Sequence, residues 1–218
     1  MSAAPTISLL GTTAALLDAP GPSVLASQQR VWAVAQAVAA WPEVREAVPG
    51  VNNLMVVFRH PPRDIVAFQD RLLAAWADTP PIALEGRLIE LPVVYGGDGG
   101  PHLADVVAHT GLGIDELVER HTAPTYPVYA VGSHPGYCYL GGMDARIATP
   151  RRKVPVMHIP GGAVSIGGSQ TGVSASAGPS GWNTIGTTAM AFFDPARSPP
   201  ALLRPGDSIR FRAEKVIR

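Results

Sequence analysis

The chain has 218 residues, with 17 basic and 17 acidic side chains, so it carries no net electrostatic footprint for nucleic acid or for an anionic membrane surface. With 46% apolar against 16% charged residues it is not a disordered chain, and its length suits one or two domains, each with a core of its own. Glycine and proline are in excess, at 23 and 22 residues, and glycine is skewed: Gly11, Gly21, Gly50 and Gly86 lie before residue 96 and the other nineteen from residue 96 onward.

The elements come in a legible order. The apolar run Ile7–Leu17 predicts a strand. A helix follows over 24–41, with Val31, Val34, Val38 and Trp41 at helical spacing, Ser23 or Ser27 as its cap, and Pro42 as its stop. Residues 43–51 alternate as a short strand ending at Pro49-Gly50, and Asn53–Phe58 reads as a buried strand. Asp64 caps a second helix that puts Ile65, Phe68, Leu72 and Trp76 on one face. Arg87–Tyr95 is again strand-like. The order β-α-β-β-α-β predicts a ferredoxin-like α/β domain over residues 1–84, with Trp32, Trp41 and Trp76 as core residues. Asp78-Thr79-Pro80-Pro81 is the best linker, and the strand at 87–95 fits either side of it.

Residues 85–218 read differently. Two short helices, about His102–His109 and Ile114–His121, are separated by Gly111 and Gly113. A helix-turn-helix reader of DNA needs cations here, and the stretch holds one arginine, no lysine and a surplus of acids, so a helical connection between sheet elements is the stronger reading. From Tyr126 onward, short apolar pieces broken by Gly and Pro predict a closed or nearly closed β-barrel. Pro205-Gly206 makes a turn into a strand with Ile209 and Phe211 on one face.

Chemistry concentrates in this half. Six glycine positions or pairs between Gly161 and Gly186 alternate with Ser165, Ser169, Gln170, Thr171, Ser174, Ser176 and Thr184. They serve either as tight barrel turns or as a surface of backbone N–H groups and hydroxyls for a polar ligand. The GGSQTG segment lacks the lysine of a phosphate-binding loop, and no βαβ unit surrounds it. His134, in a Pro-Gly turn beside Tyr137 and Tyr139, is an exposed turn residue or a proton-transfer group; Arg151 and Arg152 can clamp a carboxylate or phosphate. Trp182 either walls a pocket or fills the barrel. Cys138, the single cysteine, has no partner for a disulfide and no recognisable base, and reads as a packed thiol. The start MSAAPTISLLGTT lacks a signal-peptide pattern and no apolar run reaches 18 residues, so a soluble cytoplasmic protein is expected.

Taken together, PGYCYLGGMDARIATPRR, IPGGAVSIGGSQTGV, GPSGWNTIG and ALLRPGDSIRF resemble the family of 5-oxoprolinase B subunits. That family is also called allophanate hydrolase subunit 1, or the carboxyltransferase-domain family, and includes a sporulation histidine-kinase inhibitor. The resemblance continues upstream through LPVVYGG, GPHLADVVAHTGL and HTAPTYPVYAVG. It implies an α+β chain, a ferredoxin-like α/β domain followed by a cyclophilin-like β-barrel over 85–218 that carries the site. It implies a heteromer with a sister cyclophilin-like subunit, ATP as co-substrate with Mg, and opening of the 5-oxoproline lactam to glutamate or action on a urea-type amide. A regulatory protein that inhibits a sensor histidine kinase is the alternative. Departures from the family pattern are Ser133-His134 before the Pro-Gly, His102 after Gly100-Pro101, Val156 and His158 after the paired arginines, and Ser165-Ile166-Gly167-Gly168.

A lactam is an unactivated amide, so its carbonyl oxygen has to become a leaving or phosphorylated group. Backbone N–H groups around Gly167–Gly172, each worth about 3 kcal/mol in the transition state when well aimed, are what such a step requires. On this reading His134, Tyr139, Arg151 and Arg152 are the catalytic candidates: Arg151 or Arg152 holds a carboxylate or phosphate, and His134 or Tyr139 handles protons. Gly136, Gly168, Ser169, Gln170, Thr171 and Trp182 contact substrate, Gln170 and Thr171 orienting the amide.

Overall fold

The computed structural model describes residues 4–218; Met1–Ala3, the beginning of the stretch read for a signal peptide, lie outside the described residues. The chain is α+β and divides after Leu84 into two compact units.

The first unit contains β1 (Thr6–Leu10), β2 (Ala14–Asp18), α1 (Leu25–Ala39), β3 (Val44–Pro49), β4 (Asn53–Phe58) and α2 (Ile65–Asp78). Its sheet is antiparallel throughout, in the order β1-β2-β4-β3. Inserting β4 between β2 and β3 is the split arrangement expected of a ferredoxin-like unit. One element differs. The run Ile7–Leu17 is two strands, because Gly11 takes a φ of +59° and turns the chain back on itself. The resulting β1 flanks β2, so the strand at 87–95 is not needed in this sheet and belongs to the second unit.

Val31, Val34 and Val38 of α1 and Phe68, Leu72 and Trp76 of α2 pack on Leu17, Leu54 and Val56 of the sheet. Trp41 is partly buried, edge-on to Phe68 at 5.8 Å. No serine caps α1: its N-cap is Val24, and the helix is held by its apolar stripe and by Gln28, whose side chain bonds the Gly50 carbonyl and the Asn52 N–H. Asp64 does cap α2, accepting from the Ala67 N–H at 2.9 Å. Asp64→Ala is expected to cost about 1 kcal/mol, read as a shift in the urea midpoint.

The second unit holds β5 (Leu88–Gly96), α3 (Leu103–Thr110), α4 (Ile114–Thr122), β6 (Tyr126–Val131), β7 (Cys138–Leu140), β8 (Val156–Ile159), β9 (Ala163–Gly167), β10 (Gln170–Val173), β11 (Gly178–Ser180), β12 (Asn183–Thr187) and β13 (Ser208–Ile217). Seven strands form one sheet in the order β10-β9-β12-β5-β13-β6-β7; β8 and β11 form a separate ribbon. The edge strands β7 and β10 approach without pairing, so the sheet is a nearly closed barrel. Its core includes Leu91, Val93, Val128, Val164, Ile166, Ile185 and Phe211. The two helices read as a connection do not form a surface reader: Leu103, Val106, Leu117 and Val118 bury into that core. Among the described residues no helix is long and apolar enough to cross a membrane.

Candidate functional site

The β9–β10 hairpin sets the site. Gly167 pairs with Gln170, leaving Gly168-Ser169 as a two-residue turn with Gly168 at φ +65°. Alternation then sends Val164, Ile166, Thr171 and Val173 toward the barrel core and Ser165, Gly167, Gly172 and Ser174 to the opposite face. Trp182, between β11 and β12, lies across this second face. A Cβ on Gly167 would come within 2.5 Å of the indole, and one on Gly172 would meet both the indole and the Tyr137 hydroxyl. The two glycines are a flat floor on which the ring rests.

A cavity of about 290 Å³ opens over this floor, lined by His134, Tyr137, Tyr139, Arg151, Ser165, Gly172, Ser174, Ser180 and Trp182 among others. The Arg151 guanidinium stands 5.6 Å from the Trp182 ring centroid, a cation–π distance. Tyr137 meets Tyr139 edge-on at 5.1 Å and His134 at 5.0 Å. Burial, with a smaller contribution from Tyr139, holds the Tyr137 phenol well above its ordinary pKa against the opposing charge of Arg151, so it stays a hydrogen-bond donor. No carboxylate lines the cavity among the described residues. The arrangement suits a small, flat molecule with a negative charge at one end and neutral hydrogen-bonding groups at the other.

Beneath the floor lies a buried polar chain. The Thr171 hydroxyl donates to the Ser165 carbonyl at 3.1 Å, so its oxygen accepts from His121 Nε2 at 2.8 Å. His121 Nδ1 then accepts from the Tyr95 hydroxyl at 2.7 Å, and burial drives the His121 pKa down to about 3. Asn183 ties the Trp182 segment to the Pro150 and Ile166 carbonyls.

His134, Tyr139, Arg151 and Trp182 therefore meet around one cavity, and the remaining sequence-derived candidates do not line it. Arg152 turns away, bonding Asp105 at 2.9 Å while its backbone N–H holds the Gly181 carbonyl. Thr171 is buried on the core side of β10. Gly168 exchanges both backbone hydrogen bonds with Thr149, and Gln170 pairs with Gly167 in the β9–β10 ladder. Ser169 is at the exposed turn, and Gly136, at φ +81°, packs on the Phe192 carbonyl and Phe193. Cys138 is a packed thiol, its pKa pushed up to about 12 by burial and then by Asp207. Tyr137, Ser165, Gly172, Ser174 and Ser180 line the cavity outside the predicted set. The two-residue turn at Gly168-Ser169 was the signal for three of them, because it fixes which alternate residues share a face.

A family model described as the carboxyltransferase domain, subdomain C and D, matches residues 5–203. The chain is 47% identical over 207 residues to the B subunit of 5-oxoprolinase from Escherichia coli O157:H7, across 95% of both. Among solved structures it matches TTHA0988 with a TM-score of 0.75 and 32% identity over 93% of this chain, spanning 40% of that longer one. The Kluyveromyces lactis urea amidolyase matches with a TM-score of 0.80 over 97% of this chain and 15% of that one; at 16% identity this is a likeness of fold, and it agrees with a cyclophilin-like barrel.

Proposed function

Because the chain belongs to the carboxyltransferase-domain (subdomain C and D) family and its relatives are named as B subunits of 5-oxoprolinase, we propose that it is a subunit of a 5-oxoprolinase-type hydrolase that works with a sister subunit. The substrate on this reading is 5-oxoproline or a related small amide. The observation that carries it is Arg151 poised over Trp182 in a cavity otherwise walled by neutral donors and acceptors. The flat lactam ring lies on the indole, its carboxylate pairs with Arg151, and the hydroxyls of Ser165, Ser174 and Ser180 orient the amide. Proton transfer falls to His134 or Tyr139, the candidates of that kind that line the cavity.

Opening an unactivated lactam calls for ATP. The cavity does not fit it: among the described residues Arg151 is the one arginine or lysine lining this space, against the several charges of a triphosphate. Nor do the described residues contain a group of three or more His, Cys, Asp or Glu able to hold a metal ion. We assign nucleotide binding to the sister subunit, and this chain's part is to hold the amide, exclude water and position its carbonyl.

The test is co-purification with the sister subunit, followed by 5-oxoproline-dependent release of ADP and glutamate. Arg151→Ala in folded complex is expected to lower kcat/KM about 10- to 100-fold, the worth of one charge-assisted hydrogen bond. Unchanged turnover in that variant removes Arg151 from the site. Absence of turnover in the wild-type complex, with tight binding to a sensor kinase instead, favours the regulatory reading.

A further inference from the structure

The loop that presents His134 is built at a cost. Ser133 sits at φ +66°, a left-handed conformation that a non-glycine residue adopts only when its surroundings enforce it. Short backbone hydrogen bonds do so: the His134 N–H donates to the Gly132 carbonyl at 2.8 Å and the Tyr137 N–H to the His134 carbonyl at 3.1 Å. The imidazole delivered by this turn has its Nε2 buried and without a hydrogen-bond partner. Among the described residues no group pairs with that nitrogen, and leaving a buried polar atom unpaired is unfavourable.

His134 also lines two spaces. A second cavity of about 310 Å³ adjoins the first and shares Ser133, His134, Ser174 and Pro179 with it. Its remaining walls are Ile159, Ser176, Ala177 and Gly178, with no charged side chain among the described residues. The imidazole is the bulkiest side chain common to the two linings.

We propose that His134 determines which ligands the cavity accepts: its Nε2 hydrogen-bonds the amide of the ligand, and its ring closes the uncharged second cavity to larger rings. The proposal rests on the functional reading above and narrows it to compact cyclic amides bearing a carboxylate. An imidazole Nε2 either accepts from the lactam N–H or donates to the lactam carbonyl. Both modes discriminate against analogues that lack the paired group, because the site's own nitrogen is then left unsatisfied.

The experiment is calorimetric binding to the full chain co-purified with its sister subunit. The probes are 5-oxoproline, 3-oxocyclopentane-1-carboxylate (no ring N–H), proline (no ring carbonyl) and the ring-expanded 6-oxopiperidine-2-carboxylate. Wild type is expected to favour 5-oxoproline about 10- to 100-fold over the analogue lacking the paired group. His134→Ala erases that preference and gains about tenfold for the six-membered lactam, while His134→Gln, which keeps a hydrogen-bonding group near Nε2, retains the preference. A folded His134→Ala protein that keeps both the preference and the size limit overturns the proposal. So does loss of all binding in both variants, which makes His134 a structural residue only. If the wild-type complex binds none of the probes, the functional reading itself fails, an outcome distinct from the other two.

Discussion

Arg87→Met is expected to destabilise the barrel unit by about 3 kcal/mol, and more than Asp207→Asn does, although the two residues are partners in one ion pair. The Asp207 side chain is fully buried where β5 and β13 begin. It accepts the backbone N–H of Arg87 at 2.8 Å and of Arg204 at 3.1 Å, and the Arg87 guanidinium at 2.7 Å. Burial alone pushes this carboxyl upward; the hydrogen bonds from Arg87 and Arg204 outweigh it and leave the pKa below the ordinary value. The pair is asymmetric because Arg87 is 56% exposed while Asp207 is at 0%. Removing the arginine side chain leaves an interior carboxylate held only by two backbone N–H groups and by the Arg204 Nε at 3.9 Å. Removing the carboxylate lets the arginine return to water, and asparagine still offers one acceptor to the amides, so that change costs about 1–2 kcal/mol. Urea unfolding at pH 7 reads both; equal costs, or the reverse order, would show that the carboxylate is solvated. The contribution of Asp207 is complete above the unfolded-state pKa and is lost as the pH falls through the lower folded value.

Acid is expected to act earlier, through His121. Its folded pKa, near 3, lies below the ordinary histidine value, so between about pH 6.5 and 3 the unfolded chain binds a proton that the folded chain refuses. Stability is full above that window and falls by about 1.4 kcal/mol per pH unit on descending through it. His102 acts in the same direction: its pKa is lowered by burial first and by Arg152 second, and its Nδ1 accepts the Thr184 N–H. From pH 7.5 to 5 the His121 share is about 2 kcal/mol. His121→Gln should flatten the pH dependence over that range. A wild-type protein equally stable at both ends would refute the neutral histidine. Since His121 bonds Thr171, and Thr171 bonds the Ser165 carbonyl, protonation of His121 acts directly beneath the floor of the cavity.

How much of this was legible depends on what each residue's neighbours decide. Period and capping gave α2 and its cap, because Asp64 and the stripe Phe68, Leu72, Trp76 are local signals. The Ile7–Leu17 run misled, since its apolar residues are continuous and Gly11 is the sole mark of the turn. Among the candidates taken from the ordered motifs of the barrel, His134, Tyr139, Arg151 and Trp182 are brought to one cavity from three separate segments. Separating Arg151, which lines the cavity, from Arg152 was beyond sequence: Asp105, which claims Arg152, comes from a helix some fifty residues earlier. Strand alternation separates Gly172, on the floor, from Thr171, in the core.

The parallel pairing of β5 with β13, at the centre of the seven-stranded sheet, bears on how the protein is made. Leu88 waits for Ser208, 120 residues later, before the middle of that sheet exists. The first unit, by contrast, closes all its strand pairs before residue 59. At ordinary translation speeds it has a lead of roughly ten seconds. Throughout that interval the nascent barrel strands, with their unpaired edges and apolar faces, are ribosome-bound and open to chaperones. The cell therefore handles a folded domain tethered to an unfinished one, and the step most open to aggregation is synthesis of the barrel half.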